Sequence, residues 1–148
     1  MVRGAILIVL DTSTLIAYLI SADANHSATV PFFELIEMRP IRFSVPAHFV
    51  AEVAGVLARI GQSAEIVERE INAIDSGGRF EIHATTIGQG LLAAEVAHMA
   101  KLRGSDAVFV ALARALDLPL ITWDTQQRQR GALFCRTMTP IEALDADF

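Results

Sequence analysis

Short apolar runs alternate with longer amphipathic segments along the chain, beginning with AILIVL at residues 5–10. This run is too short for a buried helix and has no polar alternation, so it predicts a central parallel strand. Further strands are predicted at residues 41–45, 80–84 and 119–122, and near the segment LFCRTM at 133–138. Helices are predicted between the strands, at residues 12–20, 25–38, 47–60, 63–75, 86–102 and 105–118, with a short helix before the last strand.

Strands that alternate with helices predict an α/β fold, here a three-layer α/β/α sandwich with a mostly parallel central sheet. No Gly/Ser linker, charge block or internal repeat divides the chain, which predicts a single domain over residues 1–148. Several predicted helices begin beside a residue that can cap the first turn or start it. These residues are Thr12 or Ser13, Ser63 and Ser105 as N-caps, and Pro46 within a first turn.

Two aspartates lie where predicted strands end. Asp11 follows the first apolar run, in the sequence IVLDTST, and Asp124 follows PLIT and Trp123. Ligands of open parallel sheets bind beyond the carboxyl ends of the strands. A carboxylate beside a buried strand loses hydration, which is unfavourable unless another group compensates. We therefore expect both aspartates to belong to a binding site.

Two more acids are expected at the same edge of the sheet, one from segment lengths and one from its position in a helix. The predicted helix that begins near Asp106 is about 18 Å long, and the strand that returns to Asp124 covers roughly 20 Å. Because the two lengths nearly cancel, Asp106 should lie at the same end of the fold as Asp124 and Asp11. Glu52 lies early in the helix that follows the strand at 41–45, so its side chain can reach this edge as well.

Four acids at one edge would repel each other, and a divalent cation would relieve the repulsion. Oxygen ligands without grouped His or Cys favour Mg²⁺ or Mn²⁺. We expect Asp11, Asp106 and Asp124 to hold one ion, partly through water, and Glu52 to complete a second site or to position the attacking water. Such a centre is suited to phosphodiester hydrolysis, because the ion lowers the pKa of bound water and neutralises charge at phosphorus.

The formal net charge of −5 argues against generic binding of nucleic acid. Two divalent ions would add +4 to this −5 and leave −1, so the acidity is compatible with a phosphate substrate. Basic residues that flank the acids in sequence are candidates for binding the phosphates. They are Lys101, Arg103, Arg128 and Arg130.

Composition predicts contacts between subunits and the cellular compartment of the chain. The hydrophobic content of 53% is high for a chain of 148 residues, which predicts apolar surface buried between subunits. The single Cys135 has no internal disulfide partner and fits a reducing cytoplasm. Asp11 interrupts the N-terminal apolar run, so we expect neither an export signal nor contact with a membrane.

Two other classes of phosphate-handling protein also use acids at strand ends. A phosphotransferase of the haloacid-dehalogenase type needs a second acid two residues after the first, where this chain has Ser13. A receiver domain needs paired acids near its first strand and a late lysine, and no lysine follows Thr122. The sequence lacks the residues that each class requires, which counts against both classes.

The motifs LDTSTLIAYL, VAEVAGVLAR and GSDAVFVALARALDLPLITWD resemble, in order and spacing, those of PIN-domain ribonucleases, particularly VapC-type toxins of toxin–antitoxin pairs. The resemblance extends over nearly the whole chain. It implies a metal-dependent endoribonuclease whose acids are Asp11, Glu52, Asp106 and Asp124. It also implies that the chain forms a homodimer and is inhibited by a cognate antitoxin protein.

The same resemblance assigns supporting roles to three hydroxyl residues. Thr12 or Ser13 would orient the site, and Thr122 matches the polar residue that precedes the last acid by two positions. One departure from the family pattern is Gln127, at a position that is often aromatic or leucine in the family. The alternatives are a PIN-like interaction module without nuclease activity, and a nuclease that acts on DNA or on structured RNA outside a toxin–antitoxin system.

Overall fold

The protein is represented by a computed structural model that describes residues 4–148; residues 1–3, which the single-domain prediction includes, lie outside this range. The strands are β1 (Ile6–Leu10), β2 (Ile41–Pro46), β3 (Phe80–His83), β4 (Leu120–Ile121) and β5 (Thr137–Met138). The helices are α1 (Thr12–Leu19), α2 (His26–Met38), α3 (His48–Arg59), α4 (Ala64–Ser76), α5 (Ile87–Ala100), α6 (Gly104–Leu116), α7 (Thr125–Gly131) and α8 (Pro140–Leu144).

The five strands form one parallel sheet in the order β3-β2-β1-β4-β5. The strand β1 lies at the centre, with Ile8 opposite Phe43 of β2 and Val9 opposite Leu120 of β4. The order reverses between β1 and β4, because the chain first builds outwards to β3 and then returns to the other side of β1. A ligand site is expected beyond the carboxyl ends of the strands at this reversal.

Helices cover both faces of the sheet, which confirms the predicted α/β/α sandwich. Ile8, Val9 and Leu10 are consecutive residues of β1 that point to alternate faces, and all three are completely buried. Right-handed crossovers with this strand order place α1 to α4 on one face and α5 to α7 on the other. The packing agrees, since α1 contacts α2 and α3, whereas α6 contacts α5 and α7.

Several predicted helix starts are wrong. Asp11, and not Thr12 or Ser13, is the N-cap of α1, because its own carboxylate accepts the hydrogen bond from the Ser13 backbone N–H. Ser105 does not cap α6, which begins at Gly104 without a side-chain cap. Ser63 does cap α4, as predicted.

Pro46 ends β2 and does not begin α3. A proline is compatible with this position because the ladder ends there, so the missing N–H removes no bond from the interior of the sheet. The short helix α8 was not predicted; Thr139 caps it, and Glu142 completes a capping box with the backbone of Thr139. No helix among residues 4–148 is both long and apolar enough to span a bilayer.

Candidate functional site

A single cleft at the carboxyl ends of the strands is lined by all four predicted acids and has a volume of about 660 Å³. Asp11 follows β1 directly, and Asp124 comes shortly after β4, the neighbouring strand. Asp106 lies in the first turn of α6, and Glu52 lies in the second turn of α3. The structure therefore brings together the four carboxylates that strand ends and segment lengths predicted.

Asp11 is the most buried of the four acids, with 5% of its surface exposed. Its Oδ2 accepts three hydrogen bonds, from the Ser13 N–H (3.1 Å), the Ser13 hydroxyl (2.5 Å) and the Thr122 hydroxyl (3.1 Å). Within residues 4–148, Oδ1 accepts none. Burial raises the pKa of Asp11 above its ordinary value, and the charge of Asp106 also raises it, whereas the hydrogen bonds from Ser13 and Thr122 lower it.

Ser13 and Thr122 join the end of β1 to the segment that carries Asp124. The Ser13 Oγ accepts the Trp123 backbone N–H at 3.2 Å, and the Thr122 Oγ1 accepts the Asp124 N–H at 3.0 Å. Both hydroxyl groups also donate to Asp11. The two hydroxyl groups thus fix the orientation of Asp11 and the backbone position of Asp124 at the same time.

Glu52 is oriented from α1 and from its own helix. The Thr12 hydroxyl donates to Glu52 Oε2 at 2.6 Å, and His48 Nε2 lies 3.6 Å from Oε1. His48 precedes Glu52 by four residues, so the two side chains lie on the same face of α3. Thr12 and Ser13 therefore contact different acids, although they are adjacent in sequence.

Asp106 lies close enough to other charged groups of the cleft for its pKa to be affected. Burial raises the pKa of Asp106, and the charges of Asp124 and Glu52 raise it further, while Arg103 opposes these effects. Arg103 Nε donates to Asp106 Oδ2 at 3.3 Å. Asp124 is the N-cap of α7, where its Oδ1 accepts the Gln127 N–H at 2.7 Å. The cleft thus concentrates negative charge that one arginine partly neutralises.

Gln127 contributes to the site although sequence reasoning did not assign it a role. Its side chain is completely buried, and its Nε2 donates to the Asp106 carbonyl oxygen at 3.2 Å. Its backbone N–H holds Asp124, so this residue connects two of the acids. The available signal was spacing, because Gln127 and Gly131 are four residues apart and both face inwards in an otherwise polar helix.

The predicted phosphate-binding residues are only partly in the cleft. Arg103 lines it, whereas Lys101, Arg128 and Arg130 do not. The Arg130 guanidinium donates to the Lys101 carbonyl oxygen at 2.6 Å, and Arg128 lies 3.6 Å from Glu142. Binding of substrate by these three residues stays a prediction. Residues outside the predicted set also line the cleft, among them Asp23, Asn25 and Arg59.

The donor set of the cleft fits a hydrated divalent cation. Across residues 4–148, no three His, Cys, Asp or Glu side chains are arranged to hold a metal ion directly between them. Mg²⁺ characteristically keeps several of its waters and uses one or two carboxylates, so direct convergence is not required. Among the described residues the Oδ1 of Asp11 accepts no hydrogen bond, and the charges of Asp124 and Glu52 raise the pKa of Asp106. Both features suit such an ion.

A family model of the PIN domain matches residues 8–133, a range that includes the cleft and all four acids. The chain belongs to the PIN-domain family. This confirms the family resemblance that the three sequence motifs indicated. A search of the curated proteins found no match.

Solved structures of the same fold include proteins of toxin–antitoxin systems. VapC20 of Mycobacterium tuberculosis, described as a sarcin–ricin loop cleaving toxin, has a TM-score of 0.70 and 20% identity, over 84% of this chain and 95% of that one. A toxin–antitoxin complex from Klebsiella pneumoniae has a TM-score of 0.64 and 22% identity, over 93% and 99%. VapBC2 of Rickettsia felis, bound to a promoter DNA fragment, has a TM-score of 0.67 and 13% identity, over 90% and 98%. At these identities the likeness establishes the fold of this PIN domain.

Proposed function

We propose that this PIN domain, extending over residues 1–148, is a divalent-metal-dependent endoribonuclease with Mg²⁺ or Mn²⁺ as its cofactor. The observation that carries the proposal is the convergence of Asp11, Glu52, Asp106 and Asp124 on one cleft. Asp11 and Asp124 also cap helices that begin at this edge of the sheet. Glu52 and Asp106 cap no helix, and their side chains nevertheless line the same cleft. Membership of the PIN-domain family supports the same function.

Each acid has a defined task in this proposal. Asp11, Asp106 and Asp124 hold the cation, partly through water, and Glu52 completes a second site or positions the attacking water. A bound divalent cation supplies an activated water and neutralises charge at the phosphorus. The chain itself fixes the geometry, because the hydroxyl groups of Ser13 and Thr12 hold Asp11 and Glu52 in single orientations.

We further propose that the nuclease is the toxin of a toxin–antitoxin pair, inhibited by a cognate antitoxin, and that it acts in the cytoplasm. The similarity to VapC20 and to the Klebsiella pneumoniae complex supports a toxin and an antitoxin partner. The free Cys135 suits a reducing compartment. The alternative is a PIN-like module that only binds DNA in a complex. One observation supports it, because the structure of VapBC2 contains a bound DNA fragment. The complete set of acids favours the nuclease.

The function is tested by incubating the purified chain with a structured RNA and with DNA of the same sequence, in Mn²⁺ and in EDTA. We expect cleavage of the RNA in Mn²⁺ and none in EDTA. As a second readout, induced expression should stop growth of the host, and co-expression of the small protein encoded beside the chain should restore it. A chain that neither cuts RNA nor harms its host would contradict the proposal, and cleavage of DNA alone would change the substrate.

The proposed homodimer is supported by an exposed apolar face on α5. Ile87 and Leu91 are four residues apart, 86% and 68% exposed, and Ala94 continues the same face. Contiguous exposed apolar surface is typical of protein–protein interfaces. Leu91→Glu should weaken dimerisation by about 100-fold, because it buries an unpaired charge at the centre of this face. The measurement is molar mass by light scattering across a dilution series.

Met38→Glu is the matched control, because Met38 is 77% exposed but lies at the end of α2. It should leave the oligomeric state unchanged. If Leu91→Glu has the same molar mass as the unmodified chain at every concentration, the dimer does not use the α5 face.

A further inference from the structure

The cleft contains an arginine that forms an ion pair with no acid among residues 4–148. Arg59 is exposed at the end of α3 and lines the cleft. Within residues 4–148 its guanidinium forms no ion pair and no hydrogen bond, in contrast to Arg103, which is bonded to Asp106. Glu52 lies two turns earlier on α3, but Thr12 and His48 already contact its two carboxylate oxygens.

The Arg59 side chain extends back along α3 towards Glu52. Its Nη1 lies only 3.1 Å from the position that a Cβ would occupy on Gly55. A cation that served the negative end of the helix would instead lie near the last carbonyl groups. The guanidinium is therefore closer to the acids than the end of α3 is. Along the helix axis it lies roughly one turn, about 5 Å, from Glu52.

Gly55 makes this position of the guanidinium available. A glycine inside a helix is less favourable than alanine, so its presence in the middle of α3 calls for a reason. A Cβ at 3.1 Å would require the Arg59 guanidinium to move by a few tenths of an ångström. The missing side chain at position 55 thus leaves a shallow recess on α3, next to the cleft-lining Val56, that the guanidinium fills.

We propose that Arg59 binds a backbone phosphate of the substrate strand next to the phosphate that is cut, and that Gly55 positions its guanidinium for this contact. The proposal rests on the proposed function, since it assigns a phosphate of the RNA to the same cleft. A nucleic-acid strand that brings one phosphodiester to the acids must place a neighbouring phosphate along the cleft wall. Arginine suits this ligand because its planar guanidinium can donate two parallel hydrogen bonds to phosphate oxygens.

The test measures binding of a fluorescein-labelled, 15-nucleotide single-stranded RNA by anisotropy in Mn²⁺. The proteins carry Asp106→Asn so that the probe is not cut. Adding Arg59→Gln should weaken binding by about 5–10-fold and reduce the slope of log affinity against log salt by about 0.7, the value for one phosphate contact on a single strand. Arg136→Gln removes the same charge at an exposed position outside the cleft and should change neither quantity.

Gly55→Ala tests the positioning role separately. It should weaken RNA binding by less than Arg59→Gln does, because the guanidinium has to move by only a few tenths of an ångström, while the melting temperature stays equal or rises. Gly90→Ala is its matched control, because Gly90 lies inside α5 and a Cβ there meets no atom within 4 Å. It should raise the melting temperature without affecting RNA binding. A Gly55→Ala protein that binds RNA normally would show that the recess has no role.

Failure of this inference can be distinguished from failure of the proposed function. If the unmodified chain cuts RNA and Arg59→Gln leaves affinity and salt slope unchanged, the inference alone is wrong, and a carboxylate of a protein partner becomes the ligand to test for Arg59. If the unmodified chain does not cut RNA and the Asp106→Asn protein does not bind the probe, both are wrong.

Discussion

Asp106→Asn should reduce metal-dependent RNA cleavage by at least about 100-fold while the fold is retained, since even groups that only support a metal ligand change activity by about 10–100-fold. Asparagine has nearly the same shape as aspartate but lacks the charge that attracts a cation. Because the two side chains are of equal size, the substitution at Asp106, whose side chain is 21% exposed, creates neither a cavity nor a clash. Its pKa is raised by burial and by Asp124 and Glu52, which is the environment that a cation would stabilise.

The measurement is the initial rate of RNA cleavage as a function of Mn²⁺ concentration. Asp117→Asn is the matched control, because Asp117 follows the other end of the same helix, is exposed and lies outside the cleft. Its left-handed backbone, with φ of 53°, also tolerates asparagine. The control should cleave RNA at the normal rate and still stop host growth. A normal rate for Asp106→Asn would remove this residue from the proposed centre.

The positions of the acids could be predicted because they depend on topology. The carboxyl ends of neighbouring parallel strands meet at one edge, so Asp11 and Asp124 had to lie near each other once β1 and β4 were identified. Asp106 followed from the near-equal lengths of α6 and the returning segment. These arguments use only backbone rises per residue, which vary little between proteins.

The contacts around the acids could not be predicted, because they depend on which competing side chain reaches a given group. Asp11 and the three residues after it can all cap a helix, and nothing in that run shows that Asp11 takes this role. Gln127 lies in the polar segment TQQRQRG, which reads as solvent-exposed, yet it is completely buried against α6. Tertiary packing decides both cases.

The basic residues illustrate the same limit. Lys101 and Arg130 are close in sequence to Asp106 and Asp124, but the Arg130 side chain bonds to the Lys101 backbone and neither residue lines the cleft. Arg59 is far in sequence from both of these acids, yet α3 carries it into the cleft with Glu52. Position on the same helix as an acid therefore predicted which basic residues line the cleft better than proximity in sequence to an acid did.

The metal-free protein should lose stability as the pH rises, because of Asp11 and Asp106. Burial raises the pKa of each carboxyl above the ordinary value of 3.8, so the folded protein holds these protons more tightly than the unfolded chain does. Their contribution to the free energy of unfolding is fully present below pH 3.8 and is lost as the pH rises through the folded-state pKa values. At neutral pH the ionised carboxylates destabilise the metal-free fold.

Asp11→Asn should therefore raise the melting temperature of the metal-free protein at pH 7.5, by roughly 3–6 °C, and should abolish most of the further increase that Mn²⁺ produces in the unmodified chain. The amide oxygen can still accept the hydrogen bonds from Ser13 and Thr122, so the cap of α1 is kept. The advantage of the variant should shrink as the pH falls towards 4, where the unmodified carboxyl takes up its proton.

Thermal melts at several pH values, with EDTA and with a series of Mn²⁺ concentrations, separate the two effects in Asp11→Asn. A purely structural role for Asp11 would change the melting temperature in EDTA but leave the Mn²⁺-dependent increase intact, so that result would exclude Asp11 as a ligand. Asp23→Asn is the control inside the cleft, because Asp23 lines it but holds the Asn25 N–H at 2.8 Å, away from the end of β1. It should keep the Mn²⁺-dependent increase, since the centre requires the carboxylates at the strand ends and not negative charge in general.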